Sequence, residues 1–284
     1  MSASPAPPPG PVLAAALAAA REGGEVLVRH WRQLPPGSIE EKKKNDFVTI
    51  ADRESEERIV TAIRSRFPGD AFLGEEGGAR AGDPAAAAGR GGPRTWIVDP
   101  LDGTANFIAG FPFWCVSIAA REAGRVVAGV IWDPLRDELY CAERGGGAWR
   151  NGTRLAVSKR PTIDGAFVAT GFPFRSRGLI DPYLALFRAV FLRARGIRRA
   201  GSAALDLALV AAGVYDGFFE LQLAPWDVAA GAILIEEAGG AVTDFSGGDA
   251  FWDRGNILAG PQGIVRDLVE IASTVLPEEK IAGS

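Results

Sequence analysis

The sequence predicts an α+β fold, with layered sheets and helices in two closely packed halves. Three observations carry that expectation. Short apolar runs, FWCVSIAAR, RVVAGVIWD and ELYCAER, follow one another with turn residues between them, the rhythm of an antiparallel sheet. Beyond residue 160 the rhythm changes, and strand-like DGAFVATGF, GIRRAG and YDGFFEL alternate with helical stretches near 180–192 and 202–212. Helical patterns also bracket the chain, at 12–33 and 261–276.

Taken in order, the start MSASPAPPPGPV has neither the basic region nor the long apolar stretch of a signal peptide, so residues 1–11 are expected to be a disordered Pro-rich lead-in. LAAALAAA (13–20) is too short to span a bilayer and runs into Arg21 and Glu22, so a cytoplasmic protein is expected. Pro35-Pro36 stops the first helix. A second helix, 50–67, places Ile59, Val60, Ile63 and Phe67 on one face and ends at Pro68-Gly69. AFLGEEGG (71–78) reads as a short strand leaving the core into a glycine loop. Residues 78–95 lack apolar periodicity and are expected to be a mobile surface excursion. WDVAAGAILIEEAGG is a helix closed by Gly239-Gly240. AVTDF and NILAG are the last strands. Residues 12–284 are expected to form a single domain, with halves at about 12–160 and 161–284.

Composition narrows the chemistry. With 284 residues, 47% apolar and 23% charged, the chain can bury a substantial core. Its net charge of -4 argues against non-specific nucleic-acid binding. RARGIRR (193–199) reads as solvated surface. The single histidine, His30, excludes His-rich zinc sites and has no motif around it to support a Ser-His-Asp mechanism. Cys115 and Cys141 sit in apolar runs with no CxxC pair and read as buried, reduced thiols.

The carboxylates are the informative feature. Asp52, Glu75 with Glu76, Asp99 with Asp102, and Asp227 all stand next to apolar segments where the chain turns. Each has a plain alternative: Thr49 and Asp52 fit a capping box, Asp102-Gly103 a turn, Asp227 an N-cap, and Glu75-Glu76 a solvated loop. Brought together they would crowd one cleft, where two unit charges about 4 Å apart repel by roughly 4 kcal/mol at a dielectric near 20. Protons or cations must neutralise such a cluster. Oxygen-only ligation points to hard cations, Mg2+ first, with Mn2+ or Ca2+ behind it. Gly103-Thr104 opens a short helix, 104–109, whose first N–H groups form a natural phosphate cradle. Metal and cradle together imply phosphoryl transfer.

These residues resemble the inositol monophosphatase family of Mg2+-dependent, lithium-sensitive phosphatases. The resemblance rests on four ordered motifs, DFVTIAD (46–52), GEE (74–76), WIVDPLDGTANF (96–107) and WDVAAG (226–231), and covers nearly the whole chain. It implies an αβαβα layered sandwich, usually a homodimer, with two or three Mg2+ per active site. In the family pattern Glu75, Asp99 and the Leu101 carbonyl match one metal site. Asp99, Asp102 and Asp227 match a second, and a third sits near Glu75. Thr104, with Glu75, would orient the attacking water, and Asp52 would hydrogen-bond Thr104. The N–H groups of Gly103 and Thr104 would hold phosphate. GSAALD (201–206) resembles the segment touching a polyol ring, through Gly201, Ser202 and Ala203, and Glu220 resembles the carboxylate that accepts ring hydroxyls. Lys42, Lys43 and Lys44 compete for a lysine position near the site.

The implied activity is hydrolysis of inositol monophosphate by metal-activated water without a phosphoenzyme, and no membrane association. TANF after DPLDG favours the inositol branch. Phosphatases acting on fructose 1,6-bisphosphate, NADP or adenosine 3′,5′-bisphosphate share the catalytic residues and remain an alternative. So does a regulatory, partner-binding protein on the same fold, a role attributed to some bacterial relatives. A structural Ca2+ module is disfavoured, because EF-hand spacing is absent.

Overall fold

A computed structural model of the chain describes residues 7–43, 46–83, 85, 94–174 and 176–276. The first six residues of the expected lead-in, Lys44, and residues 84 and 86–93 of the expected excursion lie outside the described residues, as does the Lys43 side chain.

Helix α1 (Pro11–His30) has proline at its first position, where the missing N–H costs nothing. Two interior glycines let it lie flush on its neighbours. A Cβ on Gly23 would meet Ile59 at 2.6 Å, and one on Gly24 would clash with the Trp132 ring. A hairpin follows, β1 (Ile39–Lys43) and β2 (Asp46–Thr49), before α2 (Ile50–Arg64). The hairpin was not expected, because IEEKK carries no apolar alternation.

The chain then builds β3 (Ala71–Gly74), β4 (Gly78–Arg80), β5 (Arg94–Asp102), α3 (Thr104–Ala109), β6 (Cys115–Glu122), β7 (Arg125–Asp133), β8 (Glu138–Glu143), β9 (Gly147–Arg150) and β10 (Thr153–Arg154). These strands form an eight-stranded sheet in the order β10-β9-β8-β7-β6-β5-β3-β4. Neighbours are antiparallel except β3 and β5, which run parallel. Gly78–Arg80, read from sequence as loop, is instead the edge strand β4, paired with β3.

The second sheet comprises β11 (Phe167–Thr170), β12 (Gly196–Arg198), β13 (Gly217–Glu220), β14 (Ala241–Thr243) and β15 (Ile257–Gly260), in the order β12-β11-β13-β15-β14. Between them run α4 (Ile180–Phe191), α5 (Ala203–Ala211), α6 (Pro225–Glu237) and a short α7 (Phe251–Arg254), and α8 (Gln262–Val275) closes the fold.

Five layers result, αβαβα: α1 and α2, the first sheet, α5 and α6, the second sheet, then α4 and α8. Strand alternation makes the layering possible. On β5, Trp96 and Val98 face the core under α1 and α2, while Ile97 faces the core around α5 and α6. On β13, Phe218 joins that central core and Phe219 the core under α4 and α8. Helix composition follows position. In α6 every residue from Asp227 to Ile235 is buried, as suits a helix between two sheets. In α8 the buried Ile264, Val265, Leu268, Ile271 and Ala272 form one stripe. Among the described residues no helix is long and apolar enough to cross a membrane.

Candidate active site

The site begins where β5 breaks its ladder. Asp99 pairs with Ser117 and Asp102 with Cys115, so three steps on β5 oppose two on β6. Pro100, with no N–H to give, suits that irregularity. Asp99 Oδ1 accepts the Leu101 N–H at 3.0 Å and tightens the turn. Gly103 follows at φ 98°, a left-handed conformation, and a Cβ there would meet the Phe113 carbonyl oxygen at 3.0 Å. Helix α3 starts immediately after, at Thr104.

Other elements bring further carboxylates to this turn. The parallel register of β3 and β5 sets Gly74 opposite Val98, and the Glu75 N–H donates to the Val98 carbonyl at 3.1 Å, so Glu75 lies beside Asp99. Asp227 is not the N-cap of α6, its plain alternative in the sequence. It is the third helical residue, and its Oδ2 accepts the Ala224 N–H at 2.7 Å. Asp102 Oδ2 accepts both the Ser202 hydroxyl and the Ala204 N–H, each at 2.6 Å, which ties β5 to the start of α5.

One oxygen each from Asp99, Asp102 and Asp227 lies within 4.8 Å of the others, and all three residues are buried. Burial pushes the Asp99 carboxyl well above the usual range, and Glu75, Asp102 and Asp227 push the same way. Three buried like charges, each with one oxygen clamped by a protein donor, are a set that a hard cation neutralises. The all-oxygen chemistry fits Mg2+. The Leu101 carbonyl oxygen sits at the same turn, 3.1 Å from the Thr104 hydroxyl oxygen.

Asp52 serves both of its readings. Its Oδ2 accepts the Thr49 N–H at 2.9 Å and the Thr49 hydroxyl at 2.6 Å, capping α2. Its Oδ1 faces the Thr104 hydroxyl at 3.1 Å, across 52 residues of sequence. Burial pushes its pKa up to about 6, against the pull of the Thr49 hydrogen bonds. Of the three competing lysines, Lys42 is seen at the site: its Nζ is 2.7 Å from Glu76 Oε1 and 3.5 Å from Glu75 Oε1.

The cleft over these groups has a volume of about 370 Å³. Glu75, Asp99, Asp102, Gly103, Thr104 and Asp227 line it together with Gly201, Ser202, Ala203 and Glu220.

Sequence reasoning missed three supporting residues. Glu56 is buried on α2, where Oε2 accepts the Glu76 N–H at 2.9 Å and Oε1 accepts from Arg80 at 2.6 Å, so it anchors the loop that carries Glu75. Asn106 Nδ2 donates to the Phe113 carbonyl at 2.7 Å and the Ala200 carbonyl at 2.9 Å, joining α3 to the approach to α5. Asp206, on α5, also lines the cleft. Glu56 carried a faint signal, a charge between the apolar positions of an amphipathic helix. Asn106 and Asp206 lie inside stretches that the sequence singled out, WIVDPLDGTANF and GSAALD, but nothing local gave either residue a role of its own.

A layered αβαβα fold with a buried, oxygen-only cluster at the edge of a cleft is an arrangement that suits phosphoester hydrolysis assisted by a hard cation. The chain belongs to the inositol monophosphatase family, whose model matches residues 9–275, and it is a phosphatase of that superfamily. It is 46% identical over 269 residues to the Nus factor SuhB of Pseudomonas aeruginosa, a match covering 94% of this chain and 97% of that protein. The solved extragenic suppressor protein SuhB from Bartonella henselae is 41% identical with a TM-score of 0.86, covering 93% of this chain and 98% of that one. An inositol monophosphatase structure from Anabaena is 36% identical with a TM-score of 0.81, covering 94% and 97%.

Proposed function

We propose that this chain is a Mg2+-dependent phosphomonoesterase that hydrolyses inositol monophosphate to inositol and phosphate. The observation that carries the reading is the buried triad Asp99, Asp102 and Asp227 in a cleft that also holds Glu220. Glu75, Asp99 and the Leu101 carbonyl would hold one Mg2+, and Asp99, Asp102 and Asp227 a second, with a third near Glu75. When bound, Mg2+ supplies the positive charge that offsets the carboxylates and the phosphate oxygens and makes water a better nucleophile.

The chain's own groups do the rest. With the Thr104 hydroxyl proton directed to Asp52 Oδ1, the Thr104 oxygen is left to accept a hydrogen bond from the attacking water. Glu75 accepts the second. The Gly103 and Thr104 N–H groups hold the phosphate so that the water attacks in line with the leaving alcohol. The water oxygen bonds to phosphorus as the bond to the alcohol oxygen breaks, one proton of the water ends on the leaving oxygen to give inositol, and no phosphoenzyme forms. Gly201, Ser202, Ala203 and Glu220 hold the departing polyol.

Phosphate release from a panel tests this reading: inositol 1-phosphate, fructose 1,6-bisphosphate, adenosine 3′,5′-bisphosphate, NADP and histidinol phosphate, with Mg2+ and then with EDTA. Mg2+-dependent preference for inositol 1-phosphate is expected. Preference for another ester keeps the mechanism and replaces the substrate with the broader sugar or nucleotide class. We also propose a homodimer in the cytoplasm. Sedimentation should give twice the 29.9 kDa chain mass, and a monomer at micromolar concentration contradicts the proposal.

A second reading is favoured by the name Nus factor carried by the Pseudomonas relative: a regulatory protein that works through partners, beside or instead of catalysis. An inert panel, with every ester unhydrolysed, supports it.

A further inference from the structure

Asp206 has no role in the chemistry above. It lies in the first turn of α5, three residues after Ala203 and so on the same helix face, and it contributes to the cleft lining while only 2% exposed. Its Oδ1 has no hydrogen-bond partner, whereas Asp102 Oδ2, tied to the start of the same helix, takes two. Buried polar oxygens are normally paired, because leaving one unpaired forfeits its hydration without return. An unpaired carboxyl in a substrate-binding wall is therefore placed for a partner that arrives from outside. Burial raises the Asp206 pKa well above the usual range; Glu220 adds to the rise and Arg199 opposes it. In its neutral form the group both donates and accepts, as an alcohol hydroxyl does. Glu220, at the end of β13, offers a second carboxyl to the same space.

We propose that Asp206 is a specificity-determining residue whose carboxyl takes a hydroxyl of the ester's alcohol, in addition to the hydroxyl that Glu220 takes, so that this wall reads two hydroxyls of a polyol. The inference rests on the phosphatase reading for where phosphate lies and deepens it at the alcohol. A substrate without the hydroxyl leaves Oδ1 unpaired and is selected against, the strong form of discrimination.

The test compares wild type, Asp206→Asn and Asp206→Leu on inositol 1-phosphate and on phenyl phosphate, which has no alcohol hydroxyl. Asp206→Leu should raise KM for inositol 1-phosphate at least tenfold and leave KM for phenyl phosphate within twofold. Asp206→Asn, whose amide still donates and accepts, should restore most of the difference. Equal changes on both esters, or none, overturn the proposal and leave Asp206 a structural group. If Asp206→Leu does not fold, the Asn variant is compared with wild type for a shift in the ratio of the two KM values, and an unchanged ratio overturns the proposal. Calorimetric titration of free inositol with Mg2+ and phosphate present separates this from failure of the phosphatase reading. An inert wild type that binds inositol, with binding lost in Asp206→Leu, keeps the role of Asp206 and sinks the enzyme. Equal binding by both proteins, or by neither, sinks the role.

Discussion

Asp52 holds a helix start and a candidate catalytic threonine with one carboxylate, Oδ2 facing Thr49 and Oδ1 facing Thr104. A capping box and a catalytic hydrogen bond are often weighed as rival explanations, yet a carboxylate has lone pairs enough for both. The cap fixes the rotamer that the second contact needs. Asp99 is the contrasting case, since its burial among Glu75, Asp102 and Asp227 opposes its ionisation. Asp99→Asn should therefore lower turnover by about 10²- to 10³-fold or more, the usual loss on removing one electrostatic stabiliser. The fold should survive, and in EDTA the melting temperature should rise, because a buried like charge is gone. A variant that keeps most of its activity contradicts the metal assignment.

At the scale of elements, the site is an assembly of turns that their sheets hold still. The β3–β4 turn carries Glu75 and is anchored from behind by Glu56 on α2, which is 2% exposed and bonded to the Glu76 N–H and to Arg80. Removing that carboxylate leaves a backbone donor and a guanidinium without their acceptor. Glu56→Ala should cost about 1–3 kcal/mol of stability in urea unfolding, the price of orphaned partners. It should also raise the Mg2+ concentration for half-maximal activity while leaving substrate KM alone. An equal rise in both would mean that Glu56 serves the whole cleft and not the Glu75 loop. The β1–β2 hairpin, which delivers Lys42 to Glu75 and Glu76, was illegible in IEEKK because strand pattern reading depends on apolar alternation. The site's own short helix, 104–109, was legible because a glycine and a following helical run signal themselves locally.

At the scale of the molecule, the crowded carboxylates make stability depend on pH and metal together. The folded Asp52 pKa, about 6, is raised from 3.8, so the folded state binds more protons than the unfolded chain across that window. The stability linked to Asp52 is fully present below about pH 4 and lost as pH rises through 6. Asp206, also raised by burial, adds to the loss in the same direction. In EDTA the melting temperature should therefore fall between pH 5 and pH 8. Mg2+ should raise it more at pH 8, where the carboxylates it neutralises are more ionised. A metal-free melting temperature that is flat or rising over that range contradicts this account.

The sequence by itself determined which residue types stand at each turn, DFVTIAD, GEE, WIVDPLDGTANF and WDVAAG, and with them the family and the layered fold class. Such signals are local: proline and glycine restrict or release a turn within a few residues, and periodicity reports which face is apolar. Only the tertiary structure decided which turns meet. Asp102 is 100 residues from Ser202, and Asn106 is 94 from Ala200, and no pattern within one window couples such positions. Asp206 shows the same limit: on α5 it reads as one polar residue in an apolar helix. Packing between two sheets buries it with Oδ1 unpaired at the wall of a cleft, and burial changes what a carboxyl can do.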